Sequence, residues 1–176
     1  MIVLKPRQPA PELNVDSLQG PWSLSAQSPR NFSMLVFYRG LHCPLCLKYI
    51  QELDKLAEDF AAAGVSFLAL SSDDPQRAQA ALDDWGLKNI NIGYNVSIAQ
   101  ARAWGLHRSA GRGKTSIGIE EPAEFSEPGL FLIRPDQTLY WSQLSTMPFA
   151  RPHFREILGA LNFVVANGYP ARGELE

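Results

Sequence analysis

Both cysteines of the chain, Cys43 and Cys46, lie in a C-x-x-C motif at the point where one hydrophobic pattern gives way to another. The preceding run Ser33–Tyr38 is almost continuously apolar, which is typical of a strand covered on both faces. After the motif, apolar residues recur at steps of three and four as far as Ala63, which predicts an amphipathic helix that Gly64 ends. A buried strand that leads directly into a helix is typical of α/β sheets, so the sequence predicts an α/β fold.

The position of the cysteines in this pattern predicts their chemistry. Pro44 suits the first helical position, where its missing N–H costs no hydrogen bond, so Cys43 is expected at the cap of the helix. A thiol there faces unpaired backbone N–H groups and the positive end of the helix dipole, and both stabilise its thiolate. We therefore predict Cys43 as the nucleophile. Cys46 lies one turn further on, near enough for a disulfide, and is predicted as the resolving thiol.

The rest of the chain continues the alternation of strands and helices. Strands are predicted over residues 65–70, 91–96, 129–133 and 138–141, and helices over 75–85, 97–104 and 153–166. The proline-rich residues 1–33 predict an entry loop and a small β-hairpin at the edge of the sheet. Residues 108–127 lack apolar periodicity and are expected to form a solvated, mobile loop.

Composition excludes several classes of protein. The 176 residues predict a single domain over 1–176, and a net charge of −2 without basic runs argues against a nucleic-acid partner. A signal-peptide pattern and long apolar stretches are both lacking, so we expect a cytoplasmic protein without membrane association. A structural zinc site needs four ligands, and His107 and His153 are distant from the cysteines and from each other, so we expect neither a metal nor a cofactor.

The segment Phe37–Cys46 reads F-Y-R-G-L-H-C-P-L-C. It resembles the peroxiredoxin-like branch of the alkyl hydroperoxide reductase and thiol-specific antioxidant (AhpC/TSA) family, whose members carry the signature F-x-R-G-x-x-C-P-x-C. The resemblance implies a thioredoxin-like fold, with a mixed central sheet flanked by helices and an N-terminal β-hairpin extension. It also implies an antioxidant thiol-dependent oxidoreductase that acts on a peroxide or a protein disulfide. A thiol reductant such as thioredoxin or glutathione and a homodimer are further implied.

Three positions differ from typical peroxiredoxins. Gly40 and Val36 stand where those proteins place a threonine or serine and a proline, and Pro128 stands where an arginine precedes the Gly-Leu-Phe strand. In a peroxidase the hydroxyl and the arginine orient the peroxide and stabilise charge as the O–O bond breaks. Pro128 instead resembles the cis-proline of thioredoxin-like oxidoreductases, which would turn the carbonyl and N–H of Glu127 toward a disulfide substrate. The resemblance thus favours a thiol–disulfide oxidoreductase.

Three functions remain open at this point. In a thiol–disulfide oxidoreductase, Cys43 attacks a substrate disulfide and Cys46 then releases the product. In a thiol peroxidase, Cys43 becomes a sulfenic acid and Cys46 condenses with it to give the same disulfide. In a non-catalytic binding protein, the fold is retained and the dithiol is vestigial.

Arg39 and His42 are predicted as supporting residues. If their side chains turn toward Cys43, they would lower the pKa of its thiol. The alternatives are that Arg39 pairs with a carboxylate such as Glu52 or Asp54, and that His42 lies in solvent.

Overall fold

A computed structural model gives the fold of the chain over residues 3–175. Residues 1, 2 and 176, which belong to the range predicted as one domain, lie outside this described part. The strands are β1 (Asn14–Ser17), β2 (Gly20–Ser23), β3 (Phe32–Phe37), β4 (Val65–Leu70), β5 (Ile92–Tyr94), β6 (Arg108–Ala110), β7 (Glu124–Ser126), β8 (Gly129–Ile133) and β9 (Leu139–Leu144). The helices are α1 (Pro44–Lys55), α2 (Ala57–Ala62), α3 (Pro75–Asp84), α4 (Ile98–Ala103) and α5 (Phe154–Asn167). None of the helices within residues 3–175 is both long enough and apolar enough to cross a bilayer.

β3, the strand that leads into the cysteine motif, lies within a seven-stranded sheet of order β2-β1-β5-β4-β3-β8-β9. It pairs parallel with β4 on one side and antiparallel with β8 on the other, and all six of its residues are buried. The β1–β2 hairpin forms one edge of the sheet, as the sequence predicts. The predicted mixed sheet with an N-terminal hairpin is therefore confirmed.

The two faces of the sheet are covered by different elements. Side chains alternate along β3, so Met34 and Val36 join one core cluster while Leu35 and Phe37 join the other. The first cluster contains residues of α1, α2, α3 and α5. The second cluster contains residues of α4 and of the segment that precedes β3. The cysteines belong to the first cluster, beneath the larger group of helices.

The helix predicted over residues 44–63 is interrupted, so this prediction is wrong in one respect. Leu56 leaves helical geometry, and its N–H bonds to the carbonyl of Leu53, three residues back, which tightens the last turn of α1. Asp54 near this break accepts hydrogen bonds from two backbone N–H groups of the loop after α3, at 3.0 and 2.7 Å. Glu52 accepts one from the N–H of Phe154 at 3.1 Å. Both carboxylates therefore anchor α1 to its neighbours.

The prediction of a solvated loop over residues 108–127 is confirmed only in part, because residues 108–124 are exposed or half-buried but the segment contains two paired strands. β6 pairs antiparallel with β7, and an isolated bridge joins Lys114 to Glu120. The N–H of Gly111 donates to the carbonyl of Ala123 at 3.0 Å, which ties the two arms together. Phe125 is fully buried among polar neighbours, so the segment lacks the regular apolar alternation from which strands are predicted.

Candidate active site

The turn from β3 into α1 is held by a buried carboxylate. Asp73, just after β4, accepts a hydrogen bond from the N–H of Leu41 at 2.7 Å. Its other oxygen accepts one from Nε of Arg77 at 2.8 Å. Gly40 has a φ of +136°, and a Cβ atom there would stand 2.8 Å from both oxygens of Asp73. Glycine is required at this approach, so the chain passes directly against Asp73 on its way to Cys43.

Cys43 is the N-cap residue of α1, and Pro44 lies in the first turn, as the sequence predicts. Its Sγ accepts a hydrogen bond from the N–H of Cys46 at 3.3 Å, so a sulfur takes the place of the usual cap oxygen. The thiol of Cys46 lies next to the same sulfur. Both cysteines are free and buried. The two side chains thus face each other at the start of one helix.

The two sulfurs have opposite electrostatic environments. The hydrogen bond from the Cys46 side chain lowers the pKa of Cys43 to about 7 against the opposing effect of burial, and the Cys46 N–H, Arg39 and Arg151 act in the same direction. Burial raises the pKa of Cys46 well above its usual value, and the hydrogen bond to Cys43 adds to the increase. Near neutral pH the negative charge therefore resides on Cys43, while Cys46 keeps its proton.

Arg39 is held by two carboxylates of the segment 108–127. Its guanidinium lies 3.3 Å from Oε1 of Glu121 and 3.4 Å from Oε2 of Glu127. The contact with Glu127 is an ion pair without hydrogen-bond geometry. The guanidinium also lies over the ring of Phe125, 4.7 Å from its centroid. Arg39 thus pairs with carboxylates, but with these two rather than with those suggested from the sequence, and its charge still lowers the pKa of Cys43.

Arg151 is a site residue that sequence reasoning misses. One of its guanidinium nitrogens lies 3.7 Å from Sγ of Cys46, and another donates to the carbonyl of Leu45 at 3.0 Å. The guanidinium stacks over the ring of Tyr49, 3.9 Å from its centroid. Arg151 is 105 residues from Cys46 in the chain, and no local pattern marks it, so only the tertiary fold reveals the contact.

His42 is buried, so the alternative that places it in solvent is wrong. Its ring packs on Phe125 with 4.7 Å between centroids, and its Nδ1 lies 3.5 Å from a guanidinium nitrogen of Arg77. Burial lowers the pKa of His42 to about 4, and the neighbouring Arg39 lowers it in the same direction. The imidazole is therefore neutral near pH 7 and adds no positive charge to the cysteine site.

The prediction of a cis-proline at Pro128 is wrong, because the bond between Glu127 and Pro128 is trans. The N–H of Glu127 donates to the carbonyl of His107 at 2.7 Å, and the carbonyl of Pro128 accepts from the N–H of Ser145 at 3.0 Å. These bonds join Glu127 and Pro128 to neighbouring backbone and occupy the N–H that was expected to pair with a substrate. Pro128 lines a small crevice of about 10 Å³ together with Arg151.

The structure therefore brings four of the five predicted site residues into one buried region and places the fifth, Pro128, at its margin beside Arg151. The residues that the sequence did not reveal lie far along the chain: Asp73, Arg77, Glu121, Phe125, Glu127 and Arg151. Within residues 3–175, no group of three or more His, Cys, Asp or Glu side chains is arranged to hold a metal ion.

Comparison with known proteins identifies one family. The family model described as AhpC/TSA family matches residues 6–142. No curated protein sequence matches the chain.

Solved structures with similar folds include several peroxiredoxins and a putative thiol:disulfide interchange protein, DsbE from Chlorobium tepidum, which is 16% identical with a TM-score of 0.67 and coverages of 92% and 98%. Peroxidoxin BcpB from Mycobacterium tuberculosis is 20% identical with a TM-score of 0.71, and the alignment covers 92% of this chain and 99% of that one. Peroxiredoxin 6 of Arenicola marina is 22% identical with a TM-score of 0.74, covering 95% of this chain and 76% of that one. The yeast mitochondrial 1-Cys peroxiredoxin is 16% identical with a TM-score of 0.72, covering 99% and 84%. These similarities confirm the thioredoxin-like fold.

The buried histidine generates a prediction about acid stability. The pKa of His42 falls from 6.5 to about 4 on folding, so between these pH values the unfolded chain binds a proton that the folded chain does not. The free energy of unfolding should therefore decrease as pH falls through this range, by about 2–3 kcal/mol from His42. His42→Phe keeps an aromatic ring against Phe125 and should remove this part of the slope in urea titrations at several pH values. His153→Gln, at an exposed histidine, should keep the wild-type slope. An unchanged slope in His42→Phe would contradict the burial of a neutral imidazole.

Proposed function

The chain belongs to the AhpC/TSA family of thiol-dependent oxidoreductases and peroxidases, and we propose that it is a thiol peroxidase with an intramolecular dithiol. Cys43 is the peroxidatic cysteine and Cys46 the resolving cysteine. The observation that carries the proposal is the asymmetry of the pair, in which the Cys43 sulfur caps α1 by accepting a hydrogen bond from the N–H of Cys46, while the Cys46 thiol is buried behind it. Such a sulfur is an anion near neutral pH, as attack on a peroxide requires.

In the first step, the Cys43 thiolate attacks one peroxide oxygen, and an S–O bond forms as the O–O bond breaks. The other oxygen takes a proton and leaves as water or an alcohol, so the peroxide is reduced and Cys43 is oxidised to a sulfenic acid. Negative charge develops on the leaving oxygen in the transition state. Arg39 and Arg151 are the cations beside the cysteine pair that would stabilise it, in place of the arginine missing at position 128.

In the second step, Cys46 loses its proton and attacks the sulfur of the Cys43 sulfenic acid. An S–S bond forms, the S–O bond breaks, and water leaves. Arg151 favours this step because its guanidinium, 3.7 Å from the Cys46 sulfur, lowers the pKa of a thiol that burial otherwise keeps protonated.

Regeneration of the dithiol requires two reducing equivalents. We infer that a thiol such as thioredoxin or glutathione supplies them by thiol–disulfide exchange and leaves as its own disulfide. The yeast mitochondrial 1-Cys peroxiredoxin, which shares the fold, uses glutathione/thioredoxin systems. A reducing cytoplasm would provide such thiols, and it remains the compartment that we propose. The homodimer implied by the family stays a prediction.

Two observations favour a peroxide over a disulfide as the oxidising substrate. Cys43 is only 1% exposed, and a disulfide, which must bring two sulfurs and their substituents to it, needs a larger opening than a hydroperoxide does. The N–H of Glu127, which a disulfide substrate was expected to pair with, is already bonded to the carbonyl of His107. Thiol–disulfide exchange is the second candidate, because a thiol with a pKa of about 7 combines a substantial thiolate fraction with good nucleophilicity near neutral pH.

Reaction of the reduced protein with hydrogen peroxide tests the proposal. One equivalent should convert both thiols to the Cys43–Cys46 disulfide, as measured by thiol titration and mass spectrometry. Cys43→Ala should abolish peroxide-dependent loss of the remaining thiol, whereas Cys46→Ala should stop at a sulfenic acid that dimedone traps. Fast reaction with a protein disulfide and slow reaction with peroxide would support the exchanger instead. Reaction with neither would support a non-catalytic binding protein.

Arg151 should affect the second step more than the first. Loss of its charge in Arg151→Gln is expected to raise the pKa of Cys46 further, because the guanidinium beside it lowers that pKa, and to slow disulfide formation roughly tenfold. Arg151→Lys keeps a positive charge and should recover part of this rate. Stopped-flow measurements with one equivalent of peroxide separate sulfenic acid formation from its resolution. Arg155→Gln, at an exposed position, is the control and should leave both phases unchanged. An unaltered resolution rate in Arg151→Gln would refute this role.

A further inference from the structure

Residues 108–127, here called the cap segment, pack against the loop that carries the cysteines. Phe125 is fully buried, and its ring lies 4.7 Å from the His42 ring and 4.7 Å from the Arg39 guanidinium. His42 and Cys43 are 0% and 1% exposed, respectively. The cap segment therefore packs an aromatic side chain against two residues of the loop that leads into Cys43.

The two ion pairs of Arg39 tie the cap segment to the cysteine loop. Glu121 and Glu127 each use one oxygen for Arg39 and the other for a group of the cap segment itself. The second oxygen of Glu121 accepts from the N–H of Arg112 at 2.8 Å, and that of Glu127 accepts from the hydroxyl of Ser109 at 2.6 Å. Both carboxylates are thus fixed within the segment, so Arg39 binds the segment rather than one mobile side chain.

Arg77 makes a further attachment. Its guanidinium donates to the carbonyl of Glu120 at 3.2 Å while its Nε is paired with Asp73, the carboxylate that holds the cysteine loop. By contrast, the Arg108–Glu124 ion pair lies on the exposed side of the same hairpin, with side chains 30% and 44% exposed. The ion pairs of Arg39 with Glu121 and Glu127, here called the inner pairs, join the cap segment to the site. The Arg108–Glu124 pair, here called the outer pair, joins the two strands of the segment to each other.

From these contacts we propose that the cap segment selects the oxidising substrate by size, and that the ion pairs between Arg39 and the two glutamates determine how often it opens. This inference rests on the proposed peroxidase function and adds its specificity. A thiolate needs to reach only one oxygen of a peroxide, whereas attack on a disulfide requires two sulfurs and the groups attached to both. Because Cys43 is only 1% exposed, both substrates require the cap segment to move. A small hydroperoxide needs only a small displacement, whereas a bulky disulfide reacts only through the fraction of molecules in which the segment has opened widely.

Glu121→Gln tests the proposal, because it removes one inner charge with little change in shape. We would measure rates of the reduced protein with hydrogen peroxide and with 4,4′-dithiodipyridine, an aromatic disulfide that is neutral near pH 7. A change in the nucleophilicity of Cys43 affects both rates. The ratio of the disulfide rate to the peroxide rate therefore reports how easily a bulky substrate reaches Cys43. Loss of one buried charge-assisted hydrogen bond should raise this ratio about tenfold. Glu124→Gln, which removes the outer charge of the same hairpin, should leave the ratio unchanged.

The outcomes separate this inference from the proposed function. A fast peroxide reaction with a ratio that Glu121→Gln does not change would overturn the role of the cap segment and leave the peroxidase intact. Slow peroxide reaction in the wild-type protein would refute the peroxidase itself. Glu127→Gln provides a second variant, expected to raise the ratio in the same direction. Amide hydrogen exchange over residues 108–127 should be faster in both inner variants and unchanged in Glu124→Gln, and equal exchange in all three would contradict the proposal.

Discussion

The arrangement of the site depends on the hydrogen bond that the Cys43 sulfur accepts at the beginning of α1. A helix start has backbone N–H groups without partners, and here the N–H of Cys46 finds a sulfur 3.3 Å away. The same contact fixes the positions of both cysteines, because the residue whose N–H caps the sulfur also carries the second thiol. Helix capping, thiolate stabilisation and the proposed disulfide thus depend on one local geometry, and the buried strand β3 sets where that geometry lies.

The charged groups around this turn form a balanced arrangement rather than a simple positive pocket. Arg39 is paired with Glu121 and Glu127, and Arg77 is paired with Asp73, as buried charges generally are. This pairing is consistent with the order of effects on the Cys43 pKa, in which the Cys46 side chain comes first and the arginines come last. The arginines therefore do more to organise the site and to join the segment 108–127 to it than to ionise the nucleophile.

Local sequence patterns predicted most of the elements and the cap position of Cys43, because those depend on residues close together in the chain. The cap position of Cys43 could be read from Pro44 and the periodicity that follows. The contacts of Arg151 and Glu121 could not be predicted in this way. Arg151 contacts Cys46 across 105 residues of the chain, and Glu121 contacts Arg39 across 82. The cis form proposed for Pro128 failed because a proline before a buried strand does not fix the isomer of its peptide bond. The two strands of the segment 108–127 were not predicted, because its polar side chains bind one another and the arginines. The sequence of the segment therefore shows no alternation of apolar and polar residues.

In the reduced protein at neutral pH, we expect Cys43, and not Cys46, to carry the negative charge. The most direct measurement is the ultraviolet absorbance of the thiolate as a function of pH in the wild-type protein and in Cys43→Ala. In the wild-type protein we expect a transition with a midpoint near the Cys43 pKa of about 7. This transition should be absent in Cys43→Ala, and Cys46 should ionise only at much higher pH. A transition near pH 7 that persists in Cys43→Ala, or one that occurs only at the pH of an ordinary cysteine, would contradict this expectation.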